Sequence, residues 1–326
     1  MKIEKQTNIF IAHTPLQNFI ATEIVKQFFM EDNFENRLYT SVFVEGDSLF
    51  EERYFINKKG GFKKIFQFAK IKRQINRLLK EGNGNIFIPH TAALLDNYYF
   101  YDFPLERYNV KINFYYEGIL YFYHYLEPYK THTHLVRKTI GFLSGFNYRI
   151  EPEILPVNND KVNKIFTILK KFTLGPKEKL NEISLLQEGY TPQPGNILIL
   201  GGKPTLLNNE EVISLYNEMI EFILNLELKT QIFFKGHHAD VSNNFEKANI
   251  GRINIIDITR NSPVEEVIED FSPSIILSYP SSGLVNLKAM YGENIEVNSY
   301  YIRQKNEHLS KLWPIFDELQ IKKILI

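Results

Sequence analysis

The chain has 326 residues, 44% of them hydrophobic, which suits two packed domains of ordinary size and excludes a disordered polymer. Lys plus Arg and Asp plus Glu each total 38, so no net field marks it as a nucleic-acid binder. It has no cysteine, which excludes disulfides, Cys-zinc sites and thiol catalysis and suits a reducing compartment.

MKIEKQTNIFIAHTPLQ (1–17) holds an apolar run too short for a secretory signal core, and no apolar stretch approaches the ~20 residues that span a bilayer. The expectation is a cytoplasmic protein. NIFIAH (8–13) reads as a short buried strand. A helix follows, with Thr14 as N-cap and Pro15 at the first helical position. TSVFVEG (40–46), NIFIPH (85–90) and VKINFYYEG (110–118) read as further strands, with a helical pattern over 62–80. The polar stretch 157–195 reads as an inter-domain connection with one or two helices. That divides the chain into an N-terminal domain over 1–156 and a linker plus C-terminal domain over 157–326.

The second half repeats the grammar: GNILILGG (195–202), a helix over 208–226, then TQIFFKGHH (230–238) and INIIDIT (253–259). The helix PVEEVIEDF (263–271) and the strand SIILSYPSSG (274–283) close the series. Strands alternating with helices in both halves predict an α/β protein of two Rossmann-like doubly wound domains facing each other across a cleft. Ligands are then expected at the carboxyl ends of the strands.

Polar residues gather at those ends: His13-Thr14, His90-Thr91, Glu117-Gly118, Gly201-Gly202-Lys203, Lys235-Gly236-His237-His238 and Ser281-Ser282-Gly283. Any one of them alone is a turn or a cap, and their coincidence in both halves carries the weight. Ser281, Ser282 and Gly283 open a helix, where hydroxyls and free backbone N–H groups suit a phosphate. Glu117 ends a strand and has the chemistry of a general base. GGKP (201–204) has neither P-loop nor G-x-G-x-x-G spacing, so no dinucleotide cofactor is expected. His237, His238 and Asp240 raise a metal, as do His132 and His134. Adjacent histidines at an extended strand end point to opposite sides, however, and neither stretch has H-E-x-x-H spacing. No metal is expected.

Taken together, Tyr116-Glu117-Gly118, Lys235-Gly236-His237-His238 and Ser281-Ser282 resemble, in order, the acidic-acidic-Gly, K-x-His-Pro and Ser-Ser/Thr motifs of the bacterial sialyltransferases of capsule and lipooligosaccharide synthesis. HTPLQ (13–17), ILILGGKP (197–204) and SPVEEVIEDFSPSIILSYPSS (262–282) extend the likeness over most of the chain. The resemblance implies a GT-B fold and inverting transfer of sialic acid from CMP-sialic acid to a galactose-type or sialyl hydroxyl. No metal or other cofactor takes part. It implies Glu117 as base and His237 as acid or stabiliser for the leaving phosphate. Ser281, Ser282, Lys203 and Lys235 then bind the donor, Glu265 or Glu266 holds the ribose, and Gly201 and Gly202 let backbone approach the donor. Thr14 and Gln17 complete the site. The sequence departs from the motifs at Tyr116, which stands at the first acid, and at His238, which stands at the proline. Other readings are transfer of another CMP-activated nonulosonate or Kdo, a metal-dependent hydrolase, and a non-catalytic nucleotide-sugar binder.

Residues 53–80 carry ten basic side chains (Arg53, Lys58, Lys59, Lys63, Lys64, Lys70, Lys72, Arg73, Arg77 and Lys80) interleaved with apolar ones. This pattern suits an anionic membrane surface or an acidic acceptor, against the plainer reading of a solvated helix face. The aromatic run over 114–129 reads mostly as core, with His124 structural.

Overall fold

The computed structural model describes residues 5–42, 49–55, 61–81, 83–123, 131–150, 155–202, 207–226, 231–237, 243–258, 262–302 and 307–326. Two compact units divide the chain, Met1–Ile183 and Ser184–Ile326.

The first unit runs β1 (Gln6–Ala12), α1 (Pro15–Phe28), β2 (Phe34–Thr40), β3 (Glu52–Phe55), α2 (Gly61–Lys80), β4 (Gly84–Ile88), α3 (Leu94–Asn97), β5 (Val110–Tyr115), α4 (Thr131–Leu143), β6 (Val162–Thr167) and β7 (Leu180–Glu182). Its seven strands are all parallel, in the order β3-β2-β1-β4-β5-β6-β7. Ile9 to Ala12 on β1 and Ile86 to Ile88 on β4 are fully buried, as expected of strands covered on both faces. Phe10 and Phe87 pair in register and their rings stack at 4.2 Å. Near the other end of β1, Asn8 stands in register with Asn36 on β2 and Asn85 on β4. Asn85 donates to Asn8 Oδ1 at 2.8 Å, Asn8 donates to Asn36 Oδ1 at 2.9 Å, and Asn36 donates to the Phe29 carbonyl at 2.8 Å. Three buried amides are thereby satisfied across three strands.

The second unit runs β8 (Gln193–Leu200), α5 (Asn209–Leu224), β9 (Gln231–Lys235), α6 (Asn244–Asn249), β10 (Ile256–Asp257), α7 (Val264–Val267), β11 (Pro273–Ser278), α8 (Ser282–Tyr291), β12 (Glu296–Tyr301), α9 (Trp313–Glu318) and β13 (Lys322–Leu325). Its six strands are parallel in the order β10-β9-β8-β11-β12-β13. A reciprocal capping box starts α5: Asn208 Oδ1 accepts from the Glu211 amide at 2.9 Å, and the Glu211 carboxylate accepts from the Asn208 amide at 2.8 Å. The buried face of α5 (Val212, Tyr216, Met219 and Ile223) packs on Ile197 and Ile199 of β8.

The α/β class and the two doubly wound sheets agree with the sequence reading, but three assignments change. The boundary expected at 156/157 lies inside the first unit, because β6 and β7 extend its sheet. Residues 157–195 contain strand and one short 3₁₀ turn (Lys177–Lys179) rather than α-helix. β7 is the edge strand here and β6 its neighbour, and their polar residues (Asn163, Lys164, Asn181) make them read as linker. The strand expected over 40–46 meets a described strand only at Thr40, where β2 ends; residues 41 and 42 are bends, and 43–48 lie outside those described.

Replacing Asn8 by Ala strands two buried amide partners and is expected to cost about 2–4 kcal/mol in urea unfolding. The Asn8→Ala/Asn36→Ala pair should cost less than the sum of the single changes. Strict additivity would rule out a connected ladder.

Candidate active site

In each sheet the strand order reverses once, between β1 and β4 in the first unit and between β8 and β11 in the second. Chains leaving these strands diverge there, opening a crevice at the carboxyl edge. The sequence-selected residues lie at the carboxyl ends of these strands and of their neighbours β5 and β9, or on the helix α7, and each unit holds its own cluster.

In the first unit, Glu117 follows β5 by two residues. Gly118 turns the chain at φ 129°, open to glycine and strained for other residues. The Glu117 side chain is only 8% exposed. Gln17, in the first turn of α1, donates to Glu117 Oε2 at 2.9 Å and accepts at its own Oε1 from the His13 amide at 2.6 Å. Thr14 caps α1 by accepting from the Gln17 amide at 3.2 Å, so it acts through Gln17. The fold therefore brings together Thr14, Gln17 and Glu117.

Three further side chains complete the cluster and were not among the selected site residues. Asp96, on α3, has no exposed surface; its Oδ2 meets His13 Nε2 at 2.9 Å and lies 3.6 Å from His90 Nδ1. His90 Nδ1 accepts from the Ala92 amide at 3.1 Å, which leaves the proton of a neutral ring on Nε2, 3.7 Å from Glu117 Oε2. The two imidazoles are nearly parallel, with centroids 5.7 Å apart. The available signal was the repeated His-Thr pair that directly follows a buried strand, IAHT and IPHT. Asp96 gave no such signal, since an acid near a helix start is usual.

Burial pushes the Glu117 carboxyl up to about 8; the charge of Asp96 adds to the rise and the Gln17 amide opposes it. Burial pushes His90 down to about 4, with Asp96 opposing and His13 and Arg137 assisting. Glu117 Oε1 and Asp96 Oδ1 are buried and have no hydrogen-bond partner among the described residues. A perturbed carboxyl with an unused buried oxygen at a strand end marks a candidate functional group. Tyr116 has no exposed surface and packs edge-on against Tyr121 at 5.8 Å, so it belongs to the core and leaves Glu117 as the one acid of its motif.

In the second unit, Lys235 ends β9 and is buried; burial lowers its pKa while Glu265 supports the charge. Glu265, on α7, is also buried, and its carboxyl is raised by that burial. Its Oε1 accepts from Asn286 Nδ2 at 2.7 Å, from a fully buried asparagine on α8 that the sequence reading missed. Glu266 is exposed, so Glu265 is the inward member of the pair. Ser281 stands at the N-cap of α8 without a side-chain cap bond, and Ser282 opens the helix; both are half-buried. His237 is half-buried, two residues past β9. Lys203 and His238 lie outside the described residues.

Gly201 and Gly202 have a reason to be glycine within the protein. A Cβ on Gly202 would lie 1.8 Å from Tyr279 Cε1, and one on Gly201 would lie 3.1 Å from Gly236 Cα. The Gly201 amide donates to the Lys235 carbonyl at 2.9 Å, which ties the ends of β8 and β9 together. No group of three or more His, Asp or Glu arranged to hold a metal ion occurs among the described residues.

The raised Glu117 carboxyl has a stability signature. Its native pKa lies above the unfolded value near 4.5, so the native state keeps a proton that the unfolded chain loses between pH 4.5 and about 8. Stability therefore falls as pH rises through that window. Glu117→Gln removes this term. Relative to the parent it should gain a few kcal/mol between about pH 5 and about pH 8.5 in urea unfolding. Parallel pH profiles would refute the buried carboxyl.

No family model matches the sequence, and no curated protein matches it. Solved structures do. An α/β-galactoside α-2,3-sialyltransferase from Photobacterium phosphoreum aligns over 98% of this chain and 98% of its own, at 14% identity and a TM-score of 0.59. The GT-B domain of a sialyltransferase from Photobacterium damselae aligns over 98% and 100%, at 12% identity and a TM-score of 0.52. A UDP-GlcNAc 2-epimerase from Methanocaldococcus jannaschii aligns over 98% and 89%, at 10% identity and a TM-score of 0.52. At such identities the likeness is one of architecture, and the chain has the GT-B fold.

Proposed function

We propose that the protein is an inverting sialyltransferase that moves sialic acid from CMP-sialic acid to a galactose-type or sialyl hydroxyl of a bacterial surface glycan. One observation carries the reading: the buried Glu117, raised to about 8 and with Oε1 unused, at the carboxyl end of β5. The sialyltransferases among the structural neighbours supply the reaction class, and the three motifs supply the donor.

In this reading the acceptor hydroxyl gives its proton to Glu117 as its oxygen bonds to the anomeric carbon. The bond from that carbon to the CMP phosphate breaks, and its electron pair leaves with the phosphate oxygen. His237 protonates or stabilises that oxygen, with Ser281, Ser282 and the amides opening α8 beside it. Glu265, steadied by Asn286, accepts from the ribose hydroxyls. Lys235 and Lys203 supply positive charge to the donor. Gln17 orients Glu117 and His90 presents Nε2–H toward it. The first unit serves the acceptor and the second the donor, without a metal. A base near pKa 8 is a strong proton acceptor once ionised, and a modest rise in pH ionises it.

CMP should raise the melting temperature more than UDP does, and chelation should leave turnover unchanged. Selective stabilisation by UDP would redirect the donor assignment. Glu117→Gln and His237→Ala should each lower kcat by about 10²–10⁴ on CMP-sialic acid, without loss of fold. Full activity in either removes its role. The rising limb of kcat/KM should lie near pH 8, and Asp96→Asn should move it to lower pH by removing a repelling charge.

A further inference from the structure

Helix α4 presents an apolar outer face. Leu135, Val136, Phe142 and Leu143 are 63%, 43%, 81% and 56% exposed, at spacings that place them on one stripe. His134 and Gly141, on the other side, are buried. Scattered exposed apolar residues are ordinary, but four on one short helix form a patch.

Helix α2 meets the chain just past the end of α4. Phe68 stacks on Phe146, just past α4, at 5.6 Å, and the Lys72 ammonium donates to the Ser144 carbonyl. Right-handed crossovers β3–α2–β4 and β5–α4–β6 put both helices on the same face of the sheet, so their outer sides point the same way. The outer stripe of α2 is Phe66, 76% exposed, followed by exposed Lys70, Arg73 and Arg77. Residues 61–80 hold seven Lys or Arg and residues 131–150 hold three, and neither segment contains Asp or Glu. Lys58 and Lys59 of the basic run lie outside the described residues.

We propose that this α2–α4 layer docks on an anionic membrane surface. Phe66 and the α4 stripe enter the headgroup region, while Lys70, Arg73 and Lys138 meet acidic headgroups. The combination selects the partner. A soluble acidic glycan would pair the cations and leave the apolar stripe in water. A symmetric second copy would set one cation stripe against another. No described helix is long and apolar enough to cross a membrane, so attachment is interfacial. The proposal goes beyond the transfer reaction and does not rest on it.

The test is co-sedimentation of the whole protein with phosphatidylcholine vesicles, with and without phosphatidylglycerol. Binding should require phosphatidylglycerol and weaken with salt. Lys70→Glu/Arg73→Glu should lower the partition coefficient roughly tenfold or more. Phe142→Asp/Leu143→Asp should lower it comparably at unchanged melting temperature, since both side chains are exposed. Equal binding to the two vesicle types would overturn the proposal, as would indifference to the aspartate pair. So would tighter binding to a soluble acidic polysaccharide, or a concentration-dependent dimer that the aspartate pair abolishes. Turnover of a soluble acceptor should be the same in both variants, which separates failure here from failure of the transferase reading.

Discussion

Parallel strands covered on both faces have no wet side along their length. From Ile9 to Ala12 every side chain of β1 is sealed, and β4 is sealed from Ile86 to Ile88. An ionisable group on such a strand would have to give up its hydration without replacement. Chemistry is therefore displaced to the carboxyl edge, where the chain leaves the sheet and solvent or a ligand can reach it. His13, His90 and Glu117 stand one or two residues beyond β1, β4 and β5. Lys235 and Ser281 hold comparable places at the ends of β9 and β11. The fold sets where the functional groups are, and the neighbours of each group set what it can do.

Within the first cluster, two acids and two imidazoles share a small buried volume, and their environments separate their roles. Asp96 is held by His13 at 2.9 Å, whereas Glu117 has only a neutral amide as close partner. His90, its Nδ1 occupied by a backbone N–H, stays neutral and offers a donor instead of a charge. Burial raises the Glu117 carboxyl toward neutral pH, with the Gln17 amide opposing the rise. Burial and the neighbouring Asp96 charge together make Glu117 the candidate proton acceptor of the cluster.

The alternation of strand and helix, Thr14 as a cap and the strand-end positions of Glu117 and Lys235 were legible because each follows from a local rule, whereas the choice of Glu265 over Glu266 needed their burial. Asp96 and Asn286 were not, since their importance arises from partners 83 and 21 residues away. Sequence spacing carries no mark of such meetings. Gly201-Gly202 was legible as a position that tolerates no side chain, but not the cause: the ring of Tyr279 fills the space above Gly202. Strands β6 and β7 escaped for the opposite reason: Asn163, Lys164 and Asn181 give them the polarity of a loop, and β7 stands at the rim of the sheet.

The segments 61–80 and 131–150 together hold ten of the 38 cations and none of the 38 acids, so the remaining residues carry a net charge of −10. A chain that is neutral in total thus carries a local excess of positive charge on two segments of its first unit. An anionic surface attracts that excess at long range, which biases the side of the first unit that meets it. Added salt shortens the range of that attraction to a Debye length of about 8 Å at physiological strength. Ionic strength therefore governs how often an encounter begins with the right side forward.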